Sequence, residues 1–202
     1  MKVTLASTSK FKNSLLDIVK FNHYHIDCEF EEKSENRDNV YKYVKDLALG
    51  KALSVKNSVD RGVILGIDTV VWASGNILEK PKNVEEARKY IAMCAGNKTS
   101  VITGIALVDK NTGNIIQDTC ETKITLRKMN SADIDYYIEN EPAALRVSGF
   151  VIETVMSNFI EKIEGSYYNI LGVPVETIYK HIQEMGYSLK DLEKEGENLK
   201  WS

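Results

Sequence analysis

The sequence predicts a mixed α/β fold. Three features predict it: strand-like runs alternate with helical stripes early in the chain, strand-like runs cluster in its middle, and an amphipathic helix closes it. Val3 to Ala6 is a short apolar run, and Ser7-Thr8-Ser9 precede a segment carrying Leu15, Leu16, Ile18 and Val19 at mixed helical spacing. The chain therefore opens as strand, polar turn, helix. Tyr24 to Phe30 reads as a second strand. After the polar run Glu31 to Asn39, a helical stripe takes in Val40, Val44, Leu47, Ala48, Ala52 and Val55, with Lys51 on its edge.

Gly62 to Ile67 is a buried-strand run that reaches Asp68 and continues through Val70, Val71 and Trp72. Gly75-Asn76 marks a turn, and Ile77-Leu78-Glu79 returns as its hairpin partner. Asn83 caps a helix carrying Ala87, Tyr90, Ile91 and Cys94, closed by Gly96-Asn97. Ser100 to Val108 and Ile115 to Leu126 read as long strands across an Asn111-Thr112-Gly113 turn. Ser131 is placed to cap a short helix that ends at Glu141-Pro142. A β-like stretch is expected at Ser148 to Val155, then a turn at Gly165-Ser166-Tyr167. From Pro174, a helix repeats Val175, Ile178, Ile182 and Met185 on one face. These elements form one domain over residues 1–187, and the charged residues 188–202 read as a loose tail.

Composition sets limits on function. At 202 residues the chain can bury a real core, and its 43% hydrophobic and 27% charged shares are those of a soluble globular protein. A net charge of −3 provides no basic field for a nucleic acid polymer, so an anionic ligand needs a local cluster of lysines or amides. Cys28, Cys94 and Cys120 lack zinc-site spacing and read as reduced thiols. His23, His25 and His181 show no metal-ligand pattern. The N-terminus lacks a signal-peptide core and no window is apolar enough for a membrane span, so a cytoplasmic location without membrane association is expected.

Few residues stand out chemically. Asp68 sits among Ile64, Leu65, Ile67, Val70 and Val71, where an acid is costly unless it is paired or used. Base rates favour a turn or a buried ion pair; a carboxylate so placed could also bind Mg²⁺ or take a proton from water. Ser7 to Lys12 offers hydroxyls, turn amides, a helix N-terminus and two ammonium groups in six residues, which suits polyphosphate, although base rates favour a helix cap followed by a solvated basic face.

The segment Leu5-Ala6-Ser7-Thr8-Ser9-Lys10-Phe11-Lys12-Asn13-Ser14-Leu15-Leu16 resembles the opening signature of the Maf family of nucleoside triphosphate pyrophosphatases. Further matches follow in family order: Leu47-Ala48 with Lys51-Ala52, Gly66-Ile67-Asp68-Thr69-Val70-Val71, Glu79-Lys80-Pro81, Ala95-Gly96, Val101-Ile102-Thr103-Gly104, Glu141-Pro142, and Gly165-Ser166-Tyr167 through Gly172-Val173-Pro174. The resemblance implies an elongated, two-lobed fold with a mixed sheet and a central cleft, like that of inosine triphosphatases. It also implies a divalent metal, Mg or Mn, and frequent homodimers. Asp68 falls on the family's catalytic base and Glu32, with Glu31 one residue away, on its second acidic position; these two would also hold the metal. Lys51 and Lys80 fall on its two catalytic lysines. Ser7, Ser9, Phe11, Lys12, Thr69 and Glu153 fall on substrate-binding positions.

Departures bear on the substrate. The family's tandem arginines are Phe11 and Lys12 here, and its glutamine is Glu153. The branch acting on thymidine and uridine triphosphates resembles Arg, Thr, Gln at the positions of Phe11, Thr69 and Glu153; the branch acting on 7-methylguanosine triphosphate resembles aromatic, Gln, Glu. This chain combines aromatic, Thr and Glu. A carboxylate accepts from a guanine edge and an aromatic ring suits a cationic methylated base, so the lean is to a guanine-like base. Pyrimidine triphosphates are the alternative within the family. An inosine-triphosphatase-like enzyme shares the opening and lacks the Asp68-Thr69-Val70-Val71 pattern, while a nucleotide-binding regulator without turnover would tolerate the lost arginines.

Overall fold

The computed structural model describes residues 1–30, 37–145 and 150–193. Its elements are β1 (Val3–Ala6), α1 (Lys10–Ile18), β2 (Tyr24–Ile26), α2 (Val40–Ser54), β3 (Val63–Ala73), β4 (Asn76–Leu78), α3 (Val84–Cys94), β5 (Lys98–Asp109), β6 (Ile115–Leu126), α4 (Ser131–Asn140), β7 (Ile160–Glu164), α5 (Tyr167–Ile170) and α6 (Val175–Glu184). Among the described residues the strands run in the order β2-β1-β3-β5-β6-β7, with β4 paired to β3. β1 is parallel to both β2 and β3, whereas the β3/β4 and β6/β7 pairs are antiparallel. The sheet is thus mixed, as expected for this α/β class. None of the described helices is long and apolar enough to cross a membrane.

The described residues fall into two compact units: 1–30, 37–68, 103–120 and 171–193 form the first, and 69–102, 121–145 and 150–170 the second. In the first, the alternation of β3 assigns its side chains to two cores. Val63, Leu65 and Ile67 pack with Val3, Leu5, Leu15, Leu16, Ile178 and Ile182, the faces of α1 and α6. Ile64 points the other way, toward Ala48 and Ala52 of α2. A strand covered on both sides reads as a continuous apolar run, which is why residues 62–67 show no polar alternation. Two glycines let α2 approach. A Cβ on Gly66 would lie 2.0 Å from the Ala48 carbonyl oxygen, and one on Gly104 would lie 2.1 Å from that of Val44. Val44 and Ala48 are one helical turn apart, so α2 rests backbone to backbone on neighbouring strands.

In the second unit, Asn83 caps α3 by accepting from the Glu86 amide at 2.9 Å. Asn130, one residue before the expected Ser131, caps α4 in a reciprocal capping box with Asp133. Fully buried Tyr137 of α4 accepts the Val151 amide at 3.0 Å.

Three expectations need correction. The second strand stops at Ile26; beyond it Cys28 is buried and the Phe30 ring lies against Gly50 of α2, so these apolar residues serve packing rather than a ladder. Within Ser148 to Val155, residues 150–154 form no strand, and Ile152 is buried from a turn, while the strand of this region is β7. The segment after Tyr187 is docked through Glu193: Leu192 joins the core, and the Glu193 amide donates to the Met1 carbonyl at 2.9 Å.

Candidate active site

The opening turn is built by short-range hydrogen bonds. Ser7 follows β1, and its Oγ accepts the Ser9 amide at 3.1 Å. Ser9 is the N-cap of α1, its Oγ accepting the Lys12 amide at 3.3 Å. Both hydroxyls thus shape the turn. The first turn of α1 contains no acidic residue and carries Lys10 and Lys12, so the turn itself supplies no negative charge to its amides and dipole. Phe11, on the same turn, is 53% exposed. The Lys12 ammonium reaches across to the Ile67 carbonyl of β3, at 3.2 Å.

The next residue of β3 is Asp68, which is 7% exposed. Its Oδ1 receives the Lys51 ammonium at 2.5 Å, the two side chains being 15% and 10% exposed for Lys51 and Asp68. This meeting follows from α2 packing. Ala48 touches Gly66, and three residues along the helix and two along the strand the same faces carry Lys51 and Asp68. The acid in the apolar run therefore has the buried ion pair that residue statistics favour. Lys12 and Lys51 end on consecutive residues of one strand.

Buried Cys28 belongs to the same neighbourhood, which sequence reasoning missed. Burial pushes its thiol up, while the nearby Lys51 and Lys12 ammoniums pull the other way. Its position after β2 carried no motif, so nothing in the chain marked it. His25 of β2 was missed too; its Nε2 lies 2.6 Å from the Ser7 carbonyl oxygen.

Ser7, Ser9, Phe11, Lys12, Lys51 and Asp68 all belong to the first unit. Thr69, Lys80 and Glu153 belong to the second. Thr69 is half-buried on β3, and Lys80 is exposed just after β4. Glu153 is exposed in a turn. That turn is anchored on α4: the Tyr137 hydroxyl holds Val151, and the Thr154 hydroxyl donates to the buried Glu141 carboxylate in a very short hydrogen bond. Glu31 and Glu32 lie outside the described residues; among the described residues, no set of three or more His, Cys, Asp or Glu is arranged to hold a metal.

The fold is α/β, and in its first unit a helix N-terminus and two lysines lie beside a paired carboxylate. A family model described as Maf-like protein matches residues 2–185. The chain belongs to the Maf family. Relatives match it over nearly their whole length. A dTTP/UTP pyrophosphatase of Clostridium perfringens (strain SM101) is 31% identical over 185 residues, covering 91% of this chain and 96% of that protein. A dTTP/UTP pyrophosphatase of Clostridium botulinum (strain Hall) is 32% identical over 191 residues, covering 93% and 98%.

Proposed function

We propose that this chain hydrolyses nucleoside triphosphates to the monophosphate and pyrophosphate, with thymidine and uridine triphosphates as its substrates. The observation that carries the chemistry is the Lys51–Asp68 pair at 2.5 Å, one residue from the carbonyl that holds Lys12. A triphosphate on the α1 turn competes with Asp68 for Lys51. The carboxylate that Lys51 releases is then available to take a proton from the attacking water, in a site screened from bulk solvent. Lys12 and Lys51 oppose the charge that gathers on the leaving pyrophosphate. By family resemblance, Lys80 adds a further ammonium to the phosphates, and Thr69 and Glu153 meet the base.

The residues suit a divalent ion that arrives with the nucleotide. Mg²⁺ commonly retains waters and takes one or two carboxylates plus substrate phosphates, and Asp68 supplies one carboxylate while Glu32 carries over as the second. When bound, such an ion neutralises phosphate charge and orients the oxygens.

Thr69 and the names of the relatives support the pyrimidine bases. The sequence-based lean toward 7-methylguanosine triphosphate finds no support among those relatives. It survives as a second reading on one observation: Phe11 is half exposed on the turn, where a purine could stack, and Glu153 is exposed and keeps a carboxylate for a guanine edge.

Pyrophosphate release from thymidine, uridine and 7-methylguanosine triphosphates, by wild type and Glu153→Gln, tests both. The first reading expects kcat/KM to be highest for a pyrimidine triphosphate and to stay so in the variant. A preference for the methylated purine that collapses in Glu153→Gln would overturn it in favour of the second. Binding without release from any of the three would sink the enzyme and leave a regulator.

A further inference from the structure

We infer that His25 is a positioning residue: it holds the Ser7–Lys12 turn in its phosphate-binding shape before substrate arrives. In the sequence, His23 and His25 form a His-x-His pair with no assigned part. In the fold, β2 is the parallel neighbour of β1, with Leu5 opposite His25 and Ala6 opposite Ile26. β1 therefore leaves the sheet directly beside His25. The Ser7 amide donates to the Ile26 carbonyl at 3.1 Å, and the His25 Nε2 lies 2.6 Å from the Ser7 carbonyl oxygen. A carbonyl oxygen only accepts, so Nε2 carries a proton and donates, in the neutral and in the charged ring alike.

Ser7 is thus tied to β2 through both its amide and its carbonyl. The bonds then run onward through the turn: His25 to the Ser7 carbonyl, the Ser9 amide to Ser7 Oγ, the Lys12 amide to Ser9 Oγ, and the Lys12 ammonium to the Ile67 carbonyl beside Asp68. His23 braces the other side. Its Nε2 faces Asn13 Oδ1 at 2.8 Å, one residue past Lys12, and its Nδ1 faces the Phe21 carbonyl at 2.9 Å. A turn fixed this way loses little conformational freedom when an anion docks, and a turn released from His25 would have to be ordered at that moment. The effect should fall on phosphate affinity more than on the chemical step, because the turn grips the polyphosphate before and during reaction.

This rests on the reading of Ser7–Lys12 as the turn that holds the triphosphate. The experiment measures kcat, KM for the best triphosphate, and product inhibition by inorganic pyrophosphate, in wild type, His25→Ala, His25→Gln, His25→Met and Lys12→Ala. His25→Ala is expected to raise KM and the pyrophosphate inhibition constant together by about three- to tenfold, the worth of one hydrogen bond, with kcat little changed. Gln keeps an N–H donor at similar reach and should restore both constants; Met has similar length without a donor and should not. Equal behaviour of the Gln and Met variants would reduce His25 to packing and overturn the inference. So would a His25→Ala enzyme with unchanged constants while Lys12→Ala weakens both. If Lys12→Ala moves neither constant, the phosphate reading of the turn falls first and takes the inference with it.

Discussion

Two carboxylates of this molecule meet lysine in different surroundings. In the first unit, Asp68 holds Lys51 at 2.5 Å with both side chains nearly enclosed. In the second, Glu164 of β7 holds Lys98 at 2.8 Å and Lys162 at 3.0 Å, the lysines exposed and the carboxylate partly so. Glu164 has two cations to one and lies in water, where salt screens such contacts and they add little to stability. The Asp68 pair is largely shielded from water, so its attraction is screened less. On the function proposed above, a phosphate competes for Lys51 in this shielded pair more strongly than solvent does.

The contrast breaks most sharply in activity. Asp68→Asn keeps shape and removes charge, and should lower kcat by about a hundredfold or more while circular dichroism stays native. A variant retaining more than about a tenth of wild-type kcat would remove Asp68 from the chemistry. No comparable loss is expected from Glu164→Gln.

Stability should separate the two sites next. Lys51→Ala strands a nearly enclosed carboxylate, with a cost approaching the roughly 3–5 kcal/mol of a broken buried pair and a melting point several degrees lower. Lys98→Ala should leave the melting temperature where it was, at low and at high salt. Equal shifts in the two variants would erase the distinction drawn from burial.

The smallest effect is a pH dependence. The Lys98 and Lys162 ammoniums hold Glu164 down at about 2, against 4.5 ordinarily. A carboxylate depressed on folding contributes stability that is complete above the ordinary value and is lost as pH falls toward the folded one. Melting curves of wild type should therefore decline slightly more steeply between those limits than curves of Glu164→Gln. Parallel curves would show that the surface triad contributes nothing.

Most of the elements were legible because their patterns are local. The α2 stripe, the β3 run and the caps of α1 and α3 each follow from residues within a turn or two. β7 was hidden because Ile160-Glu161-Lys162-Ile163-Glu164 carries the charges of a sheet edge, while Phe150 and Ile152 imitated a strand from a turn. Asp68 stood out as an acid in an apolar run, yet its partner Lys51 did not, since nothing local says which strand a helix will cover. Cys28 and His25 were invisible for the same reason: their parts depend on β2 lying beside β1. Family resemblance singled out Lys51 and Lys80; the structure pairs Lys51 with Asp68 and leaves Lys80 exposed after β4, and Glu32 falls outside the described residues.

The contact of Gly66 with Ala48 has a consequence for how this enzyme could change over time. Because two backbones meet there with no side chain between them, the span from Lys51 to Asp68 is inherited from the seating of a helix on a strand. Neither charged residue sets it alone. A lineage could therefore shift the Lys51–Asp68 pair through substitutions at Val44, Ala48 or Ala52, positions that would look like neutral drift in a core. Conversely, a grafted Lys and Asp in another α/β protein would fail to reproduce the pair unless the glycine seat travelled with them.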